Sequence, residues 1–201
     1  MNYAICVSGA ASGKTVEPAH EVASKLGTII ANAGHITTTG ATVGLPFYAA
    51  KAAFEAGGMS IGFSPAASLR EHVAKYRLPI GVFNFINFTG MHYVGRDVHL
   101  VQSSDAIITI GGRMGSLHEF TTALESRMPC GVLRGTGGTA DIIDELMERL
   151  EPVNRDMVIF DDDPERLVQK IIAMLDVEYK EINTKALSAH WFMENKHTHK
   201  G

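Results

Sequence analysis

A glycine-rich turn that follows a short apolar run is the strongest candidate for chemistry in this sequence. The run from Ala106 to Ile110 is rich in isoleucine and predicts a buried strand. Three glycines follow that strand: Gly111, Gly112 and Gly115. Ser116 and Glu119 have the spacing of a capping box, which predicts a helix that begins at Ser116. Backbone N–H groups and the dipole at such a helix start bind anions, so this stretch is either an anion site or a ligand-free strand-to-helix turn.

Similar loops follow other apolar runs, and the runs alternate with segments of helical spacing. This alternation predicts β-α-β crossovers and an α/β fold, a Rossmann-like open parallel sheet with helices on both faces. The expected strands are residues 3–7, 35–39, 59–63, 80–88, 106–110, 130–133 and 157–160. The more polar residues 66–78 are expected to form an exposed helix or lid. The small-residue loops at 8–13, 40–44, 111–116 and 135–139 should then converge at the carboxyl edge of the sheet. The first two loops add five candidate ligand-binding residues: Ser8, Gly9, Ser12, Gly40 and Gly44.

Length and composition favour a single domain that binds neither nucleic acid nor membrane. A chain of 201 residues that is 45% hydrophobic can bury one full core, expected over residues 1–178, with a polar tail over 179–201. The formal net charge of −4 provides no basic field for nucleic acid. No apolar run approaches about 20 residues and no basic leader is visible, which predicts a soluble cytoplasmic protein. Cys6 and Cys130 lie in apolar runs and are expected to be buried thiols; no metal site and no cofactor is expected.

The first strand leads into a segment close to a nucleotide-phosphate loop, Ser8 to Thr15, which ends in Gly-Lys-Thr. That motif requires glycine six residues before its lysine, and Ser8 occupies the position here. A loop one residue short would put Lys14 out of register with the β- and γ-phosphates. No later strand runs into a magnesium-binding aspartate, since the fourth meets Asn84 and the fifth meets Gly111. A kinase or ATPase is therefore the less favoured interpretation, and Lys14 is then a solvated residue near a helix start.

The nine residues from Gly111 to Glu119 follow a strand opened by Asp105-Ala106, in the frame Gly-Gly-Arg-Met-Gly-Ser-Leu-His-Glu. In this frame the chain resembles the LOG (lonely-guy) family, formerly labelled possible lysine decarboxylases, within the SLOG group of Rossmann-like nucleotide-binding proteins. The family motif is Pro-Gly-Gly-x-Gly-Thr-x-x-Glu. Glycine in its first position, as at Gly111, is closer to the molybdenum-cofactor carrier branch. Earlier segments, Gly40-x-x-x-Gly44-Leu45 and Ala56-Gly57-Gly58, extend the resemblance over roughly residues 3 to 175.

The resemblance implies hydrolysis of the N-glycosidic bond of a nucleoside 5′-monophosphate, which releases base and ribose 5-phosphate. Glu119 would stabilise the positive charge that develops on the ribose, and Arg96, nine residues before Asp105, would hold the phosphate or the departing base. Residues of the glycine turn would cradle the 5′-phosphate: Gly111, Gly112, Gly115 and Ser116. Family members are usually dimers, so a homodimer or higher homo-oligomer is expected.

Two departures leave the activity open between an enzyme and a binding protein. Arg113 replaces a motif glycine, where its guanidinium would either bind a second phosphate or narrow the site. Asp97 replaces the lysine that follows the family arginine, and His118 stands where active members often carry an acid. The alternative is therefore a non-catalytic carrier or sensor for a nucleotide or cofactor. If neither residue has a functional role, Glu119 serves only as a helix-capping residue and Arg96 as one half of a surface ion pair.

Overall fold

The structure, a computed structural model, describes residues 1–180, in which seven strands and seven α-helices alternate. The strands are Ala4–Gly9 (β1), Ile36–Thr39 (β2), Met59–Ser64 (β3), Phe85–Phe88 (β4), Ala106–Ile110 (β5), Cys130–Leu133 (β6) and Val158–Asp161 (β7). The helices are Val16–Asn32 (α1), Leu45–Glu55 (α2), Leu69–Ala74 (α3), His92–Gln102 (α4), Met114–Glu125 (α5), Thr139–Leu150 (α6) and Pro164–Glu178 (α7). A short 3₁₀ helix, Arg155–Met157, precedes β7.

The seven strands form one parallel sheet in the order β4-β3-β2-β1-β5-β6-β7. The predicted Rossmann-like α/β fold is therefore confirmed. From β1 the chain moves outward to β2, and from β5 it moves outward in the opposite direction to β6. Connections that diverge in this way open a crevice between the carboxyl ends of β1 and β5, the place where open α/β sheets bind ligands.

Each face of the sheet is covered by its own hydrophobic cluster. One cluster joins β1 and β5 to α1, α2 and α7, and the other joins the opposite face to α4, α5 and α6. Strands buried on both sides explain the continuous apolar runs, such as Ala106 to Ile110. Helices α1 and α2 cross so closely that a β-carbon at Gly27 would overlap the carbonyl of Ala49. Cys6 and Cys130 are buried free thiols, as predicted.

Two elements on the β4 side are shorter than the sequence indicates. The strand expected over residues 80–88 is confined to Phe85–Phe88, because the Asn84 side chain accepts the Ser60 N–H at 2.8 Å and bridges the two segments before the ladder begins. The helix expected within residues 66–78 is limited to Leu69–Ala74, capped by the Ser68 hydroxyl. This region is less exposed than predicted, since His72 is buried.

The predicted polar tail, residues 179–201, lies almost wholly outside the described residues. Its first residue, Tyr179, packs beside Tyr3 and donates a hydrogen bond of 2.8 Å to Asp105, so this residue belongs to the folded domain. Within residues 1–180, no helix combines the length and apolar character needed to cross a bilayer.

Candidate functional site

A cleft opens at the carboxyl ends of β1 and β5, in the crevice that the topology creates. Three of the small-residue loops reach it, through Gly9 to Ala11, Gly40 to Thr42, and Arg113 to Ser116. Helix α4 contributes Tyr93, Arg96 and Asp97, and α5 contributes Glu119. The site thus combines helix N-terminal backbone, a buried arginine and two carboxyl groups.

Helix α5 begins earlier than the sequence predicts, and this changes the role of Glu119. Arg113 is the N-cap residue in an extended conformation, and its carbonyl accepts the Leu117 N–H at 3.0 Å. Ser116 therefore lies inside the first turn, and the predicted capping box with Glu119 is wrong. Glu119 lies in the second turn, where its carboxyl group accepts a hydrogen bond from the Ser8 hydroxyl of β1. It belongs to the floor of the cleft rather than to the helix cap.

Glu119 and Asp97 form a buried carboxyl pair. Their exposed fractions are 8% and 6%, and Asp97 is close enough to act on the Glu119 carboxyl group. Burial raises the pKa of Glu119 to about 7; the Arg96 guanidinium opposes this shift, and the neighbouring Asp97 adds to it. A carboxyl group with this pKa can take up and release a proton near neutral pH.

Asp97 connects this pair to a cation and to the surface. One carboxyl oxygen accepts the Arg96 Nε–H at 3.0 Å, and the other lies 3.1 Å from His118 Nδ1. His118 is partly exposed, whereas the Arg96–Asp97 ion pair is buried. The surface ion pair considered for Arg96 is therefore a buried one.

Arg96 is held by three acceptors. Besides Asp97, its guanidinium donates to the carbonyls of Gly40 and Phe63, the latter at 2.9 Å. A β-carbon at Gly40 would overlap this guanidinium, so glycine at position 40 makes room for Arg96. The second small-residue loop thus contributes a cradle for an arginine as well as a wall of the cleft.

Arg113 spans the mouth of the site. Its guanidinium donates a hydrogen bond of 3.0 Å to the Ser12 hydroxyl and lies beside Gly13. These contacts join the β1–α1 loop to the start of α5. Within the described chain, no carboxylate pairs with Arg113. Gly115 and Ser116 line the cleft next to it, in the first helical turn, where N–H groups have no intrahelical acceptor.

Three predicted ligand glycines do not line the cleft. The Gly111 N–H already donates to the Thr136 hydroxyl at 2.8 Å, and Gly112 has a φ of 104° that permits its sharp turn. Gly44, with a φ of 77°, packs under Ala10 at the start of α2. These residues shape the loops, and the backbone groups that face the cleft come from their neighbours.

Residues 135–139 lie at the carboxyl edge of the sheet, as expected, but they do not line this cleft. Hydrogen bonds of Thr136 and Thr139 attach this loop to the outer side of the Gly111-Gly112 turn, where it lines a second cleft with Lys14 and Thr15. The physical reason is topological, since β6 lies one strand away from the crevice between β1 and β5.

Sequence reasoning did not assign Asp97, Tyr93 and His118 to the site. A usable signal existed for the first two, because Tyr93, Arg96 and Asp97 have the three- and four-residue spacing that places side chains on one helix face. Among residues 1–180, no cluster of three or more His, Cys, Asp or Glu side chains could hold a metal ion.

Comparisons with known proteins agree with this architecture. An uncharacterized protein from Archaeoglobus fulgidus is 30% identical over 115 residues, which are 57% of this chain and 70% of that protein. The structure of TM1055 matches with a TM-score of 0.73 at 25% identity, over 86% of this chain and 99% of that one. The molybdenum cofactor binding protein from the phototrophic bacterium Rippkaea orientalis matches with a TM-score of 0.72 at 26% identity, over 87% and 98% of the two chains.

The family can be assigned from sequence as well as from fold. A family model described as the SLOG cluster4 family matches residues 2–168, and the same residues contain the whole cleft and its carboxyl pair. This match confirms the resemblance based on the Gly111 to Glu119 frame. The chain belongs to the SLOG cluster4 family.

Proposed function

We propose that this protein hydrolyses the N-glycosidic bond of a nucleoside 5′-monophosphate and releases free base and ribose 5-phosphate. The observation that carries the proposal is the Asp97–Glu119 carboxyl pair, which lies in the floor of a cleft bordered by a helix N-terminus. Hydrolysis requires a group that takes up and releases a proton near neutral pH, as Glu119 can, whereas binding alone does not.

The phosphate fits best at the first turn of α5. The N–H groups of Gly115 and Ser116 and the helix dipole attract an anion there, and Arg113 adds a guanidinium without a competing carboxylate. Glu119 is one turn further along the same helix, so a ribose attached to this phosphate would lie against the carboxyl pair.

The carboxyl pair supplies the negative charge and the proton transfers that the reaction needs. Cleavage of the C–N bond leaves positive charge on the ribose, which negative charge on the buried carboxyl groups stabilises. The attacking water gives its proton to the pair as its oxygen bonds to the anomeric carbon. The departing base takes the electron pair of the broken bond and a proton from the same carboxyl pair, and the proton from the attacking water replaces the one given up.

A base-release assay over AMP, GMP, CMP and UMP tests the proposal. The wild-type protein should release base from at least one of them, and Glu119→Gln should reduce the rate by about 100-fold or more, the scale of an acid-base residue. Glu125→Gln on the exposed end of α5 is the matched control and should keep full activity. Full activity of Glu119→Gln would remove Glu119 from the mechanism, and no release by the wild type would exclude the hydrolase.

A second candidate, a carrier or sensor for a nucleotide or phosphorylated cofactor, is favoured by the state of Arg96. All of its observed bonds go to Asp97 and two backbone carbonyls, which leaves it poorly placed to hold a phosphate or a departing base. The similar protein from Rippkaea orientalis is described as a molybdenum cofactor binding protein. Mass spectrometry of ligands that co-purify with the protein would support this candidate if an intact nucleotide or cofactor is found and the assay shows no base release.

A further inference from the structure

Tyr93 is a half-exposed aromatic residue on the wall of the cleft. It lies in the first turn of α4 and is 47% exposed, although its neighbours Arg96 and Asp97 on the same helix are buried. Its ring borders the same cleft as Gly115 and Ser116 of α5. An exposed aromatic ring at a polar cleft offers a flat apolar surface to whatever binds there.

Contacts on the protein side orient this ring, although the residue remains 47% exposed. Tyr76 meets Tyr93 edge to face, with 5.6 Å between ring centroids and 83° between ring planes. The Tyr76 hydroxyl and His92 Nδ1, 2.8 Å apart, share a hydrogen bond that holds Tyr76 in turn. The Arg96 guanidinium lies 5.9 Å from the centre of the Tyr93 ring. Because the ring is already oriented, stacking on it would cost little conformational entropy.

We propose that Tyr93 is the stacking platform for a planar aromatic heterocycle in the ligand, either a nucleobase or a similar fused ring. This inference rests on the proposed function, because it assigns the base end of the same ligand whose phosphate lies at α5. Stacking on an aromatic side chain tolerates different bases, since every base has a π-face, and its strength grows with the size of the ring. The ligand class is therefore a phosphorylated glycoside of an aromatic ring, with purines favoured over pyrimidines.

The spacing along the two helices supports this orientation. Asp97 is four residues after Tyr93 on α4, and Glu119 is four residues after Gly115 on α5, so each carboxyl group lies about one helical turn below a cleft-lining residue. A ligand with its phosphate at the start of α5 and its ring at the start of α4 would have its sugar above the carboxyl pair. The bond between sugar and base would then lie next to the proposed catalytic groups.

Binding measurements by calorimetry can isolate the contribution of the ring. We expect the wild type to bind AMP and GMP more tightly than CMP and UMP, and all four more tightly than ribose 5-phosphate, which lacks a base. Tyr93→Leu removes the aromatic face but keeps an apolar side chain, and should weaken AMP binding by about tenfold or more while the affinity for ribose 5-phosphate stays within about twofold. Tyr93→Phe keeps the ring and should bind AMP like the wild type.

The matched control is Phe85→Leu, the same type of truncation at an exposed aromatic residue on β4 that does not border the cleft. It should leave both affinities unchanged. Equal binding of AMP by Tyr93→Leu and the wild type, or equal wild-type affinity for AMP and ribose 5-phosphate, would overturn the stacking role and leave the phosphate site intact. Failure of the wild type to bind any of the four nucleotides would instead overturn the proposed function, and with it this inference.

Discussion

The side chain of Arg96 occupies the space that a β-carbon at Gly40 would need. The Arg96 guanidinium donates to the Gly40 carbonyl, and a built β-carbon would lie 2.7 Å from Arg96 Cζ. The glycine that follows β2 is therefore coupled to the arginine that holds Asp97, although 56 residues separate the two in sequence. This coupling leads to a direct test of how the buried carboxyl pair is supported.

Gly40→Ala should force the Arg96 guanidinium away from its carbonyl acceptors and leave buried polar groups poorly paired. Overpacking of this kind typically costs about 1–3 kcal/mol, so the free energy of unfolding in urea should fall by that amount. Gly81→Ala is the matched control, because a β-carbon at Gly81 meets nothing within 4 Å, and its stability should change little. If the two variants have equal stability, Gly40 does not support Arg96 in the way the geometry indicates.

The raised pKa of Glu119 predicts a specific pH dependence of stability. Its pKa is about 7 in the folded protein and 4.5 when unperturbed, so between these values the folded state binds more protons than the unfolded state. The free energy of unfolding should therefore decrease as the pH rises from about 4.5 to about 7, by a total of about 3 kcal/mol. Chemical denaturation over a series of pH values measures this slope.

Glu119→Gln removes the titrating group but keeps an acceptor for the Ser8 hydroxyl. The variant should lose most of the decrease over that pH interval and should be more stable than the wild type at pH values above the folded-state pKa. Glu125→Gln, at the exposed end of the same helix, should retain the wild-type slope. An unchanged slope in Glu119→Gln would show that Glu119 is ionised in the folded state throughout this range.

The fold could be predicted from local patterns, because its strands are continuous apolar runs and its loops begin with small residues. The run from Ala106 to Ile110 is an example, since burial on both sides of the sheet leaves no polar position in it except Thr109. The site was predicted only in part. Glu119 lies in the cleft next to the predicted glycine turn, but its bond to Ser8 joins residues 111 positions apart and has no local signature. The position of Asp97 likewise depends on contacts that arise only when α4 and α5 pack together.

The start of α5 shows why a local pattern can mislead. A serine followed three residues later by a glutamate satisfies the capping-box pattern. The helix nevertheless begins at Met114, because Arg113, in an extended conformation, is the N-cap residue. The loop before α6 holds this turn in place, since Thr139 donates to the Arg113 carbonyl at 2.8 Å. Tertiary contacts thus place the helix start at Met114, two residues before the start that the local pattern predicts.

Gly138 should be among the least replaceable glycines of the chain. It has a φ of 59°, and a β-carbon there would overlap the carbonyl oxygen of Gly112. Gly138→Ala should combine a backbone cost of about 1–2 kcal/mol with a steric cost of about 1–3 kcal/mol. Gly135→Ala in the same loop separates the two effects, because Gly135 has a φ of 75° but open space around it. Thermal and urea unfolding should show a clearly larger loss of stability for Gly138→Ala than for Gly135→Ala. Equal losses would mean that the Gly112 turn moves to accommodate the β-carbon at no cost in stability.

Arg113 provides the sharpest test of where the ligand's phosphate binds. Arg113→Met keeps the apolar stem and removes the guanidinium, so ribose 5-phosphate should bind about tenfold or more weakly, the scale of a charge-assisted hydrogen bond. The remaining affinity should also depend less on ionic strength, because one of the charges that salt screens is gone. Arg149→Met on the exposed side of α6 removes the same charge far from the cleft and should change neither affinity nor salt dependence. If Arg113→Met and Arg149→Met bind ribose 5-phosphate equally well, the phosphate lies elsewhere and the guanidinium serves only to join Ser12 to the start of α5.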